Sequence, residues 1–273
     1  DNIFKGLSTF AVEIRIRNGP DSFRLAMVTH PEYDDKFWRY VGSLTVSGQA
    51  GPTIARVDSA VWRVTAPGGE ATVSYRIHLP PSESPRSSWK PFLSPTGGLV
   101  GGPHSFMYIV GETLAPATVR LELPADWAVA TGLEATSDPS VFFAPSMFVL
   151  QDSPILAGKL RDWRFWVDDV AHRVVYWQAP GAASFDTTAL VEGLAGLARE
   201  AARVFGRPPY REFTFQLQDN AVGSLEHLNS VSVGAPSARL AQGLTSVFAE
   251  TAHEYFHTWN LMRIRPAEYG DVD

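Results

Sequence analysis

Ten residues near the end of the chain, 251–260, limit both its fold and its chemistry. They contain the pattern H-E-x-x-H, in which His253 and His257 are four residues apart. On an α-helix such side chains share a face, with their Cβ atoms roughly 5–6 Å apart. Two imidazoles at this spacing can bind one Zn²⁺ ion, and Glu254 lies near enough to take a proton from a water molecule at the metal. The pattern therefore predicts a helix that carries a zinc site.

The residues around this motif predict one helix over 237–262. Apolar side chains recur there at spacings of mostly three and four residues. They are Leu240, Leu244, Val247, Phe248, Ala252, Phe256 and Trp259. Pro236 and Ser237 are a start signal, and Pro266 is a stop signal. The alternative is a helix that carries two histidines by coincidence, but buried polar groups need a partner, which favours the metal site.

Composition argues against several classes of function. The chain has 23 basic and 29 acidic residues, and this net charge of −6 argues against nucleic acid or an anionic membrane as the main partner. It contains no cysteine, so neither disulfides nor thiolate ligands are expected, and the compartment stays open. No apolar run reaches the length of about 18 residues that a transmembrane helix needs.

The first part of the chain predicts many short strands, which favours an antiparallel β-sandwich. The expected strands are 10–16, 23–28, 41–46, 57–65, 73–79, 106–110, 119–123, 147–150, 164–167 and 174–177. A turn at 124–127 is expected to close a hairpin, and the Pro-, Ser- and Gly-rich residues 82–102 are expected to form a linker or long loop. The many aromatic side chains could form a carbohydrate platform, but core packing is the more usual role.

The pattern changes near Pro180. Residues 187–205 have apolar side chains at helical spacing, with Asp186 as a possible N-cap and Gly206 as a stop. Residues 211–218 alternate again and predict a strand. A helix, a strand, a loop and the motif helix follow one another, so we expect an α+β fold. The expected domains are residues 1–179, which are β-rich, and residues 180–273.

The loop between that strand and the motif helix is crowded with polar groups. It includes Glu226, which by itself could be an ordinary surface carboxylate. Beside a zinc helix, however, a carboxylate that follows an edge strand could meet the ammonium group of a substrate. The edge strand itself could pair with an extended peptide.

Three segments resemble the bacterial glycyl aminopeptidases, which are zinc metallopeptidases of the gluzincin group. The first is H-E-Y-F-H-T-W-N at 253–260, followed by R-I-R-P at 263–266. The second is G-S-L-E-H at 223–227, which is similar to the family's G-G-L-E-H, and the third is D-S-P-I-L-A-G at 152–158. The first hundred residues resemble the family mainly in being rich in strands.

The resemblance implies an architecture and an activity. An N-terminal antiparallel β-sandwich-like domain would precede the first part of a thermolysin-like zinc peptidase domain, usually with a PDZ domain after it. His253 and His257 would bind zinc, and Glu254 would act as the general base and later pass a proton to the leaving amine. The enzyme would remove single N-terminal residues, glycine or alanine by the family's name.

The resemblance also implies how the peptide is held. Glu226 would bind the free α-ammonium group, and the backbone at Gly223 and Ser224 would lie along the first residues of the substrate. Ser224 stands where the family usually has a second glycine. Serine fits there if the backbone does not need a positive φ angle.

The third zinc ligand is the larger departure. The family takes it from a glutamate on the next helix, and only residues 258–273 follow His257. Glu268, Asp271 and Asp273 lie in a predicted loop, so we expect the third ligand outside this chain. The chain would then be a truncated N-terminal portion of the enzyme, with an incomplete site.

Two functions are therefore weighed. The first is a zinc-dependent aminopeptidase, with a peptide that has a free N-terminus as its partner. The second is a non-catalytic, β-rich binding or interaction module whose zinc motif is unused. Neither nucleic acid nor a membrane is expected as a partner, whereas a second fragment or a second copy could cover the incomplete catalytic domain.

Overall fold

The N-terminal part of the chain folds into two antiparallel sheets that pack face to face. The computed structural model describes residues 9–29, 36–79 and 84–266. The first strands are β1 Thr9–Ile16, β2 Ser22–Ala26, β3 Val41–Ser47, β4 Thr53–Arg56, β5 Val61–Thr65 and β6 Ala71–His78, with a 3-10 helix at Phe37–Tyr40. One sheet has the order β1-β6-β3, and β2, β5 and β4 are neighbours in the other.

Alternation of side chains explains how these two sheets form a sandwich. Along β6, Val73, Tyr75 and Ile77 are at most 2% exposed, and the residues between them face outward. They pack in one cluster with Leu25 and Val64 from the other sheet. Because strand side chains alternate between faces, each sheet buries one face and leaves the other to solvent.

A second β-rich region follows. Its elements are β7 Arg86–Ser87, β8 Phe92–Ser94, β9 Gly97–Val100, α1 Gly102–Ser105, β10 Tyr108–Ile109, β11 Ala117–Arg120, β12 Ala128–Ala130, β13 Glu134–Ala135, β14 Val141–Ala144, α2 Met147–Asp152 and β15 Ile155–Gly158. Strand β10 joins the sheet of β2, and β7 pairs with a later strand at 221–222. The other strands build two sheets with the orders β11-β14-β13 and β12-β15-β9-β8.

The last region is built on a five-stranded mixed sheet. Its elements are β16 Leu160–Val167, β17 Val170–Trp177, α3 Thr187–Phe205, β18 Glu212–Gln218, β19 Ala221–Val222, β20 Ser224–Glu226, β21 Ser230–Gly234, α4 Ser237–Leu240 and α5 Thr245–Phe256. The strand order is β16-β17-β18-β21-β20. Strands β17, β18 and β21 run parallel, and α3 connects β17 to β18.

This mixed sheet takes strands from both sides of residue 180. Strand β17, which ends at Trp177, pairs along its length with β18, which begins at Glu212. The side chains of the sheet share one core cluster with those of α3 and α5. The division of the chain at residue 180 stays a prediction.

The structure confirms the α+β class and many of the elements. Helix α3 has the expected bounds, the side chain of Asp186 caps it by accepting a hydrogen bond from the N–H of Ala189, and it ends at Gly206, which has a φ of 86°. The aromatic side chains of Tyr176 and Trp177 are buried, as expected for core packing, whereas Trp166 is 60% exposed. None of the described helices is long and apolar enough to cross a membrane.

Four predicted elements of the β-rich part are wrong. Residues 147–150 belong to helix α2, which the side chain of Ser146 caps. The turn at 124–127 closes no hairpin, because β11 pairs with β14 and β12 with β15. Part of the expected linker at 82–102 forms β7, β8, β9 and the start of α1, and the expected strand at 57–65 begins only at Val61.

The predicted helix over 237–262 is also wrong in its extent. It is interrupted between α4 and α5, where Gly243 has a φ of 157° that favours glycine. Helix α5 ends at Phe256, and turns follow it. His257 nevertheless keeps helical backbone angles as the C-cap residue, with φ −62° and ψ −17°. The spacing of the motif is therefore preserved.

Candidate active site

Helix α5 presents the two histidines of the motif side by side. The Nε2 atoms of His253 and His257 lie 3.2 Å apart. His253 is exposed, and Glu254 and His257 are half-buried. One ligand atom from each of these three residues lies within 4.8 Å of the other two. The structure thus brings together the three motif residues that the sequence singles out.

The distance between the two imidazoles fits a tetrahedral zinc ion. Zinc–nitrogen bonds of 2.0–2.1 Å at tetrahedral angles place two ligand nitrogens about 3.3 Å apart. The Nδ1 atom of His257 lies 3.0 Å from the carbonyl oxygen of Asn260. Because a carbonyl can only accept, that nitrogen carries the proton, and the lone pair of Nε2 is free for a metal.

Glu226 reaches the same place from the sheet. Strand β20, which ends at Glu226, packs against α5. Burial and the neighbouring acidic group of Glu226 raise the pKa of Glu254 to about 7, although His257 and the backbone N–H of Glu226 oppose the shift. The carboxylate expected in the loop therefore lies beside the motif glutamate.

Glu226 belongs to a short edge strand rather than to a loop. It ends β20, which pairs with β21 and is the last strand in the order of the mixed sheet. One edge of β20 therefore faces no other described strand of this sheet. Just before it, Gly223 has a φ of 71°, whereas Ser224 has no positive φ. The serine thus meets the condition under which it can replace the family's glycine.

A glycine-sized space at position 223 helps to shape the approach to the site. A Cβ atom on Gly223 would lie 2.9 Å from the ring of Trp89, which follows β7. The carbonyl of Gly223 accepts a hydrogen bond of 2.7 Å from the N–H of Gly234 on β21. A larger residue at position 223 would push the indole away and would also need an unfavourable backbone conformation.

The opposite face of α5 contains a polar cluster that sequence reasoning missed. The Nε2 atom of His172 lies 2.8 Å from the hydroxyl of Tyr210 and 3.2 Å from that of Tyr255, and the two hydroxyls contact each other. The Nδ1 atom of His172 donates to the carbonyl of Val170 at 3.0 Å. These three residues come from a strand, a loop and a helix, so local spacing gives no signal for them.

The third zinc ligand is not found among the described residues. In residues 9–29, 36–79 and 84–266, the only group of three acidic or imidazole side chains that could hold a metal is His253, Glu254 and His257. The nearby candidates Glu268, Asp271 and Asp273 lie outside the described residues. Two imidazoles leave a tetrahedral zinc site short of a protein ligand.

Two family models match the chain at the regions just described. The model of the peptidase M61 N-terminal domain matches residues 8–159, which are more than half of the chain. The model of the M61 glycyl aminopeptidases matches residues 247–273, which include the motif. The chain belongs to the M61 peptidase family. The predicted resemblance to the glycyl aminopeptidases is confirmed at the level of the family.

Solved structures support the fold of this M61 chain. An aminopeptidase N family protein from Idiomarina loihiensis is 22% identical with a TM-score of 0.85, over 97% of this chain and 48% of its own. An M1 zinc metallopeptidase from Deinococcus radiodurans is 16% identical with a TM-score of 0.53, over 92% of this chain and 59% of its own. A two-domain M1 zinc metallopeptidase mutant bound to L-tryptophan has a TM-score of 0.51 at 16% identity, over 92% and 60%.

These similarities show the fold at family level. The M61 chain spans only about half to three fifths of the length of the solved structures that it matches. No curated protein sequence matched it.

Proposed function

We propose that this M61 chain forms part of a zinc-dependent aminopeptidase that removes small N-terminal residues from peptides. The observation that carries the proposal is that β20, which ends at Glu226, packs on α5 beside Glu254 and two imidazoles set at a distance that suits zinc. Glu254 alone can serve as the general base, so a second carboxylate at this position is available for another role. It is a suitable partner for the positive charge of a free N-terminus.

His253 and His257 would hold the zinc ion, together with a ligand from outside the described residues. Zinc, when bound, supplies a Lewis acid that polarises the scissile carbonyl and makes water a stronger acid. Glu254 would take the proton of the attacking water on its carboxylate and deliver it to the leaving nitrogen. Its position between the imidazoles and Glu226 suits both transfers.

Glu226 would bind the α-ammonium group of the substrate. An ammonium group there would donate a charge-assisted hydrogen bond to the Glu226 carboxylate. It would also offset the repulsion between two acidic groups in a half-buried site. The first peptide bond would then lie over the metal, so cleavage releases a single residue.

The unpaired edge of β20 would bind the backbone of the peptide. An extended segment can add to such an edge through main-chain hydrogen bonds, which gives affinity without selecting a sequence. Gly223 and Ser224 are the residues at the start of this edge. The preference for glycine or alanine rests on the M61 glycyl aminopeptidase family alone.

The deciding experiment uses the whole protein and the variant Glu226→Ala. We expect kcat/KM for peptides with a free N-terminus to fall by about 10²-fold or more, since a half-buried charged contact with the substrate is lost. The rate on N-acetylated peptides should not change, and Glu192→Ala, an exposed carboxylate on α3, is the matched control. Equal cleavage of free and acetylated peptides by the wild type would exclude an aminopeptidase.

The same preparation tests the alternative of a binding module. An aminopeptidase should contain zinc in a one-to-one ratio and lose activity on chelation. A whole protein that folds fully without metal and cleaves none of a series of aminoacyl amides would favour the non-catalytic module.

A further inference from the structure

We infer that Arg263 sets the spacing between Glu226 and His257 and thereby restricts cleavage to the first peptide bond. The inference rests on the proposed function, and it names a positioning residue rather than a catalytic one. Arg263 lies after the motif helix, at the end of a turn, and is half-buried. Its guanidinium group contacts two segments that are far apart in the sequence.

The first contact is with the end of the motif helix. The Nη1 atom of Arg263 donates to the carbonyl of Thr258 at 2.9 Å. Thr258 directly follows His257 and is only 1% exposed. The hydrogen bond therefore holds the backbone next to the second histidine without touching its imidazole.

The second contact is with the turn after Glu226. The same Nη1 atom donates to the carbonyl of Leu228 at 3.0 Å, and Nη2 donates to the side-chain oxygen of Asn229 at 3.0 Å. These residues are two and three positions after Glu226. One planar group thus joins the segment that carries Glu226 to the segment that carries His257.

The far side of the same turn is held by Asp152. Its Oδ2 atom accepts a hydrogen bond of 2.6 Å from the N–H of Leu228, and its Oδ1 atom lies 3.5 Å from Nδ1 of His227. Asp152 ends helix α2 in the β-rich part. With one side of the turn anchored there, Arg263 decides where the other side lies relative to the motif helix.

Only arginine can make this set of contacts. Its donors lie in a rigid, planar fork, whereas lysine offers one flexible ammonium group. A lysine at position 263 keeps the positive charge but cannot reach three acceptors on two segments in fixed directions. Because a displacement of about 1 Å in a reacting group can lower a rate about 10²-fold, the loss of the fork should be measurable.

The test compares Arg263→Lys with the matched control Arg265→Lys in the whole protein. Arg265 is also half-buried, but its Nε donates to the carbonyl of Leu261 within its own turn. For Arg263→Lys we expect kcat/KM on free N-termini to fall about 10- to 100-fold with little change on N-acetylated peptides. Zinc affinity should change less than about threefold, because the partner of the His257 imidazole is Asn260.

A second variant covers the case in which Arg263→Lys folds poorly. Asn229→Ala removes one acceptor from the turn and leaves the motif helix untouched. It should lower the preference for free over acetylated N-termini in the same direction by a smaller factor. An unchanged preference in both variants, or a loss of activity that only follows loss of zinc, would overturn the inference.

Hydrogen exchange on the metal-free chain separates this inference from the proposed function. Backbone amides of residues 226–229 should exchange about tenfold faster in Arg263→Lys than in Arg265→Lys, while those of β6 stay the same. If the wild type has no peptidase activity but this local effect is found, the proposed function fails and the link between the segments holds. Equal exchange in both variants would show that Arg263 does not position the turn.

Discussion

The two faces of helix α5 are built on opposite principles. The outer face carries His253, Glu254 and His257, which are exposed or half-buried and leave their ligand atoms pointing at one another. The inner face carries Val247 and Tyr255, which are 3% and 1% exposed. The outer face offers ligand atoms to a metal ion, whereas the side chains of the inner face already have their partners within the protein.

The inner face determines where the outer face points. The ring of Tyr255 lies 4.9 Å from that of Phe213 and 5.4 Å from that of Phe215, both on the central strand β18. Its hydroxyl meets His172 and Tyr210. A hydrogen-bonded cluster within an apolar core is satisfied in few arrangements, so it selects one rotation of the helix. Chemistry on one face therefore depends on packing on the other.

Replacing Glu254 on the outer face should have the largest effect of the three predicted changes. We expect Glu254→Gln to lower kcat about 10²- to 10⁴-fold, since general acid–base catalysis contributes that much. The zinc content should stay the same, because the imidazoles are untouched. Steady-state kinetics and metal analysis on the whole protein are the measurements, and activity that survives the change would exclude Glu254 as the base.

Acid should destabilise the packing under the inner face of α5 by protonating His172 on β17. Burial lowers the pKa of His172 to about 4, although the hydrogen bond to Val170 opposes the shift. The unfolded chain has a histidine pKa near 6.5, so it binds protons first as the pH falls. The contribution of His172 to the free energy of unfolding is therefore fully present above about pH 6.5 and is lost as the pH falls toward 4. The loss is about 1.4 kcal/mol at pH 5.5 and about 3 kcal/mol in total.

The pKa of a second buried histidine, His104, is shifted in the same direction and serves for comparison. Burial, with a smaller effect from Lys90, lowers the pKa of His104, which lies in helix α1, to about 3. Between pH 8 and 5.5, the free energy of unfolding of His172→Gln, measured with urea, should therefore fall by about 1.4 kcal/mol less than that of the wild type. A fall identical to that of the wild type would mean that His172 is protonated in the folded protein.

Removing one hydroxyl from the inner face should have the smallest effect of the three. Tyr255→Phe keeps the ring but leaves His172 and Tyr210 with one partner fewer, which should cost about 1–3 kcal/mol of unfolding free energy. Denaturant unfolding of the metal-free chain measures it. The outer-face control is His253→Ala, which should change stability by less than about 0.5 kcal/mol but weaken zinc binding strongly. Equal destabilisation by both changes would remove the contrast between the faces.

Much of the site could be predicted because its residues are close together in the sequence. His253, Glu254 and His257 follow from a spacing of four residues, and Glu226, Gly223 and Ser224 follow from a short family segment. The residues that hold them could not be predicted. Asp152 contacts Leu228 across 76 positions, and Arg263 contacts Leu228 across 35. No periodic pattern connects residues at such separations.

The sequence by itself determined helix α3 with its caps, the alternating strands of the sandwich and the face of α5 that carries His253, Glu254 and His257. These follow from backbone geometry, which repeats every 3.6 residues in a helix and every two in a strand. Tertiary structure alone decided that residues 147–150 form helix α2, that the helix over 237–262 is interrupted at Gly243, and which strands pair. The physical reason is that buried polar groups and apolar faces need partners, and distant parts of the chain supply them.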